Sequence, residues 1–140
     1  TRDTKRNNTG MIYYKDIETR FTPSLFLSVY KGQEEAESNL TQYLTNSFKG
    51  IAVGSSLNIT NDISLNIRMS QEKRYHNKQL FPIINIYRGD TENSMNISTN
   101  WRINKHFSLI PSYNYSDNQS NIAFSDFTRH VISIDLRVDM

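Results

Sequence analysis

The stretch Ile132-Ser133-Ile134-Asp135-Leu136-Arg137-Val138-Asp139-Met140 alternates apolar and polar residues at every step. Side chains on a β-strand point to opposite faces with period two. One face of this segment therefore carries Ile132, Ile134, Leu136, Val138 and Met140, and the other Ser133, Asp135, Arg137 and Asp139. A strand that is oily on one side and charged on the other at the end of the chain is the pattern of a closing strand in a transmembrane β-barrel, between lipid and a wet lumen.

Working outward, composition first points the other way. Mean hydropathy is −0.62 and 36% of residues are hydrophobic. No run approaches the roughly 20 apolar residues of a spanning helix. Averaged hydropathy is blind to a barrel, however, because lipid-facing and lumen-facing residues cancel within each strand. The absence of Cys excludes disulfides, thiolate metal sites and cysteine nucleophiles. A net charge of +2 with no concentrated basic block gives no reason to expect nucleic acid. Residues 1–8 are polar and form no secretory signal, so the expectation is a mature protein or a piece of a longer one.

Seven strand-like stretches are legible, at about residues 9–19, 24–32, 47–59, 63–75, 90–103, 106–116 and 126–140. The third sets Ile51, Val53, Leu57 and Ile59 on one parity against Ala52, Gly54, Ser56 and Asn58. In the fourth, Ile63, Leu65, Ile67 and Met69 oppose Ser64, Asn66, Arg68 and Ser70. The connections between them alternate. Those at 20–23, 60–62 and 104–105 are short; 33–46 and 76–89 are long, and 117–125 is intermediate. Outer-membrane barrels sort their connections this way, with short periplasmic turns and longer external loops. With Met140 at the periplasmic end, all three short turns fall on that side. Trp101 and Phe107 flank one of them, with Tyr113 and Tyr115 further out as a second girdle. Phe127 has lumen parity, where an apolar side chain is unexpected, unless a bulge resets the phase.

The C-terminal part also resembles a known family. Arg88-Gly89-Asp90, the strand from Met95 to Trp101, Ile110-Pro111-Ser112-Tyr113-Asn114-Tyr115, Ser120-Asn121-Ile122 and Asp126-Phe127-Thr128-Arg129-His130-Val131 are similar to the end of the surface lipoprotein assembly modifier family. That family shows an R-x-D before a strand, a proline in the penultimate strand, an S-N-x segment and an aromatic-x-x-R-x-x-V stretch. Arg74-Tyr75 fits as well, and the resemblance covers about residues 50–140. It implies a C-terminal barrel, a periplasmic helical-repeat domain absent from this chain, and a role in bringing lipoproteins to the cell surface. Met140 stands where barrels commonly end in an aromatic residue. Related polysaccharide-export barrels share the same plan.

Catalytic and metal chemistry is weakly represented. His76, His106 and His130 lie far apart in sequence without a carboxylate at ligand spacing. His130 and Ser133 are three residues apart, so a strand would place them on opposite faces. Arg88-Gly89-Asp90 spells the tripeptide bound by animal adhesion receptors, a three-letter match that chance supplies cheaply. The acidic run Glu34-Glu35-Ala36-Glu37 reads as a solvated external loop.

The sequence thus predicts an all-β, antiparallel meander of about seven strands over residues 1–140, the C-terminal portion of a transmembrane β-barrel. No enzyme activity, cofactor or metal is expected. Ile132, Ile134, Leu136, Val138 and Met140 are expected to face lipid, and Arg68, Arg102, Asp135, Arg137 and Asp139 a lumen. The expected location is the bacterial outer membrane. Expected partners are outer-membrane lipid, the barrel assembly machinery and a surface lipoprotein client. The leading function is translocation or display of lipoproteins at the cell surface. A passive porin-like channel and a soluble β-sandwich or lipocalin-like binding module are the alternatives.

Overall fold

A computed structural model describes residues 4–37, 44–81 and 84–139, so Met140 lies outside the described residues. Seven strands follow in chain order: β1 (Thr4–Asp16), β2 (Ser24–Ala36), β3 (Asn46–Asn58), β4 (Ile63–Phe81), β5 (Ile84–Arg102), β6 (Phe107–Ser120) and β7 (Phe127–Val138). Each pairs antiparallel with the next in one sheet of order β1-β2-β3-β4-β5-β6-β7. Among the described residues no second sheet packs against it. The sheet is not closed on itself: β1 and β7 are its two edges.

The strands run further than their sequence pattern suggested. β1 begins at Thr4, ahead of the expected start at about residue 9, because Thr4–Asn8 pair with Ala36–Gly32. β2 takes in Gln33–Ala36, and β6 continues to Ser120. The expected long connection at 76–89 is mostly hairpin, since β4 and β5 remain paired as far as Phe81 and Ile84. Beyond Tyr75 their register shifts, at Tyr75/Gln79 and again at Gln79/Phe81. The reason is that a ladder satisfies backbone N–H and C=O groups whatever side chains it carries. A strand polar on both faces lacks the period-two signal and reads as loop.

Short turns close one end of the sheet. Thr60 Oγ1 accepts the Ile63 amide at 3.0 Å and the Asp62 amide at 3.2 Å. Asn104 Oδ1 accepts from His106 and Phe107 at 2.8 and 3.0 Å. Such local side-chain acceptors let the backbone reverse within a few residues. This turn end holds connections 17–23, 59–62 and 103–106; the opposite, loop end holds the others.

Register assigns every side chain to a face. One row across the sheet reads Leu27, Val53, Met69, Met95, Tyr115, His130; the next reads Leu25, Ser55, Ile67, Ile97, Tyr113, Ile132. On the other face the rows read Ser28, Ala52, Ser70, Ser94, Ser116, Arg129 and Ser24, Ser56, Asn66, Ser98, Ser112, Ser133. The first is an apolar face, the second a polar one. β6 and β7 pair from Asn118/Phe127 to Phe107/Val138 without a shift, so no bulge rescues Phe127, which stays on the polar face. Pro111 lacks an N–H, and the β5–β6 ladder skips its level, resuming at Trp101/Leu109 after Ser98/Ser112.

Burial runs opposite to that of a water-soluble domain. The buried hydrophobic residues among those described are Phe48 and Ala52, both on the polar face. Leu27, Val53, Met69, Ile134 and Leu136 stay exposed on the apolar face. Under the polar face, aromatic rings are laid over glycines of the paired strand: Tyr30 over Gly50, Phe48 over Gly32 and Phe26 over Gly54. Each glycine leaves room for a ring where a side chain would collide, an arrangement that supports strong sheet curvature. A Cβ at Gly32 would run into the Asn7 carbonyl oxygen and the Phe48 ring. Gly32→Ala is therefore expected to cost about 1–3 kcal/mol. Gly89→Ala, whose Cβ would sit 3.9 Å from its nearest neighbours, should stay within about 0.5 kcal/mol. Denaturant titration of the two variants checks the difference.

Candidate functional site

A cluster of charged side chains on the polar face gathers at the loop end. Glu72, on β4 and 8% exposed, is the hub. Its Oε2 accepts from Arg6 Nη2 of β1 at 3.1 Å and from Tyr30 Oη of β2 at 3.0 Å, and its Oε1 accepts from Arg74 Nε at 2.6 Å. Arg74 Nη2 also approaches Glu92 of β5 at 3.9 Å. The Arg6 guanidinium lies 4.0 Å above the Phe48 ring centre, so its charge meets the ring's negative face as well as a carboxylate.

Two further carboxylates extend the cluster. Glu34 accepts from Thr4 Oγ1 at 2.8 Å and from Asn46 Nδ2 at 3.4 Å. Asp90, 6% exposed, takes a 2.8 Å contact from Arg88 Nε and lies 4.0 Å from His76 Nδ1. The cluster therefore ties β1, β2, β3, β4 and β5 together across one face. Carboxylates this buried remain ionised only where cations and donors offset lost hydration. His76 lies beyond the level at which the apolar face ends. Burial first, and then the Arg88 guanidinium, hold its pKa below the ordinary imidazole value, against the opposing pull of Asp90. Between that lowered pKa and about 6.5 the unfolded chain binds a proton that the folded one refuses, so stability falls as pH drops through this window. His76→Gln should flatten the dependence, read from denaturation midpoints at pH 5 to 8.

Below the cluster the polar face is lined by small neutral groups bonded across strands. Ser70 and Ser94 hydroxyls meet at 2.7 Å, Asn96 Nδ2 donates to Asn114 Oδ1 at 2.6 Å, and Ser112 and Ser133 meet at 2.8 Å. Among the described residues no group of His, Asp and Glu is arranged to hold a metal ion. The site offers fixed charges and hydroxyls to a polar surface passing over it.

The expected lumen residues share this face by register, yet they do not form one site. Arg68 stacks 5.5 Å from the Phe26 ring centre. Arg102 reaches Asp62 in the neighbouring turn at 2.7 Å, and Arg137 holds Asp139 two residues on at 2.8 Å. Asp135 lies opposite Ile110. Ile132, Ile134, Leu136 and Val138 lie on the other face, all exposed, Ile132 at 79%. His130 and Ser133 point to opposite faces, and His130 Nδ1 meets Tyr113 Oη at 2.8 Å. That contact belongs to the middle of the apolar face, since Tyr113 shares a row with Ile97 and Ile132. Tyr113 thus sits in mid-face, while Tyr115 stands one level before the polar row Asn93, Asp117 and Thr128.

The residues that do converge were largely missed. Glu34 looked like part of a solvated loop but is 7% exposed within β2. Arg88-Gly89-Asp90 is strand, its Asp carboxylate enclosed and ion-paired rather than displayed. The R-x-D spacing was a usable signal, because two residues apart on a strand share a face. Glu72 shares that spacing with Arg74, but its partners Arg6 and Tyr30 lie on other strands, where the sequence carries no signal.

The family model for the surface lipoprotein assembly modifier matches residues 4–138. No curated protein and no solved structure matches the chain.

Proposed function

Because the chain belongs to the surface lipoprotein assembly modifier family, with its role in surface lipoprotein assembly, we propose that this sheet is the C-terminal part of an outer-membrane β-barrel that conveys or displays lipoproteins at the bacterial surface. The observation that carries the reading is the inverted burial. Apolar side chains stay uncovered on one face of all seven strands while the opposite face is mostly polar and hydrogen-bonded, with Ile12, Phe127 and Val131 among the exceptions. Water penalises such a face by roughly 25 cal/mol per Å² of apolar area, whereas lipid accepts it. Residues 63–73 of β4 form about 33 Å of strand at ~3.3 Å per residue. A tilt of about 40° lowers this to about 25 Å, the height of a barrel's apolar band.

In this reading the unpaired edges β1 and β7 join the remaining strands of a larger barrel, since lipid cannot satisfy exposed backbone groups. Lipid covers the apolar face, and the assembly machinery inserts the barrel. A lipoprotein client passes along the polar face or a seam beside β7. The mechanism is positional: the family is described as a modifier of assembly, and the polar face offers fixed charges and hydroxyls for binding. The test is to delete the gene, complement it with the full-length protein, and measure protease accessibility of surface lipoproteins on intact cells. Restored accessibility at unchanged total lipoprotein supports the reading. Unchanged accessibility in the deletion, with ion conductance by the purified protein in planar bilayers, would replace it with the passive channel.

A further inference from the structure

Lys31 of β2, Lys49 of β3 and Lys73 of β4 stand directly opposite one another: Lys31 pairs with Lys49, and Lys49 with Lys73. All three are exposed and lie on the apolar side of the sheet, in the row where that face ends. Directly opposed residues on neighbouring strands have Cβ atoms about 4.5–5.5 Å apart, and like charges so placed repel. None of the three forms an ion pair among the described residues. The carboxylates of the charged cluster belong to the opposite face.

The ground beneath them is apolar. The three lysines rim a groove of about 700 Å³ whose floor includes Met11, Val29 and Ile51. A second apolar groove continues toward the turn end past Val53, Met69 and Met95. On the far side of the lysine row come Gln33, Ser47 and the exposed Tyr75, the polar and amphipathic residues of a membrane interface. A row of cations at the boundary between an interfacial layer and an apolar track fits an anion carrying acyl chains.

We infer that Lys31, Lys49 and Lys73 form a binding site for the phosphorylated headgroup of a membrane lipid, whose acyl chains lie along Val29, Ile51 and Val53. The inference rests on the reading of the apolar face as a lipid face. An ammonium binds phosphate as a compact point charge with three donors, and three of them within about 10 Å match a doubly phosphorylated headgroup. The bound anion removes the repulsion that the row otherwise carries.

The test uses the full-length protein refolded in detergent micelles, with bound lipid counted by native mass spectrometry. The probes are diphosphoryl lipid A, its dephosphorylated form and inorganic phosphate. The expected result is that wild type retains diphosphoryl lipid A and that K31Q/K49Q/K73Q weakens retention at least about tenfold, given about 1 kcal/mol per Lys at a charged membrane surface. K31R/K49R/K73R retains it, and dephosphorylated lipid binds wild type as poorly as phosphorylated lipid binds the glutamine variant. Equal retention by wild type and the glutamine variant overturns the site. Displacement of the lipid by millimolar inorganic phosphate overturns the lipid assignment in favour of a free anion. Heat-sensitive electrophoretic mobility and β-rich circular dichroism test the barrel separately: a wild type lacking both refutes the barrel reading, whereas folded variants with unchanged lipid binding refute only the lysine site.

Discussion

Ile132→Arg is expected to destabilise the folded full-length protein in phosphatidylcholine vesicles by about 2–4 kcal/mol, the cost of an arginine on the lipid face near the bilayer midplane. Ile132 is 79% exposed and shares its register row with Tyr113, Ile97 and Ile67, midway down the apolar face. On a sheet washed by water the same change at so exposed a position would stay within about 0.5 kcal/mol. The neighbouring Val131 supplies the internal control. It opposes Asn114 on the polar face, so Val131→Arg should alter stability little. Denaturant titration of both variants after vesicle insertion measures the difference, and equal costs would sink the assignment of the two faces to lipid and water.

Glu72→Ala should be the most damaging change on the polar face, at about 2–3 kcal/mol. Its side chain accepts from Arg6, Tyr30 and Arg74, and its removal strands three donors, two of them charged. Breaking a buried ion pair from one side costs about 3–5 kcal/mol. The lower figure applies here because the Arg6 side chain is 43% exposed and water can partly replace the lost acceptor. Arg6→Ala in the Glu72→Ala background should cost less than Arg6→Ala alone, giving a coupling of about 0.5–2 kcal/mol in a double-mutant cycle. Glu92→Ala, with Arg74 at 3.9 Å, should cost no more than about 0.5 kcal/mol. A cycle showing no coupling between Arg6 and Glu72 would mean that the cluster does not tie β1 to β4.

Much of the fold was legible because its main signal is local. Period-two alternation in 47–59, 63–75 and 126–140 needs only each strand's own residues, and Thr60 and Asn104 mark turns through bonds a few residues long. The places that escaped reading share a different property. Residues 4–8, 33–35 and 76–77 are polar on both faces, so their strand character depends on a partner ladder rather than on patterning. The charged cluster escaped for the same reason, since Arg6 and Glu72 are brought together only by the registers of three successive strand pairs.

The amino-acid sequence by itself determined that the chain is an antiparallel meander with one apolar and one polar face, and its motifs already resembled the family to which it belongs. Only the tertiary structure decided how far the hairpins extend, which carboxylates are enclosed, and that three lysines spread along 43 positions of sequence stand in a single row. The face of a side chain follows from residue parity, which is written into each strand. Its neighbours across the sheet follow from register, which the turns and the paired backbones set jointly and no single segment encodes.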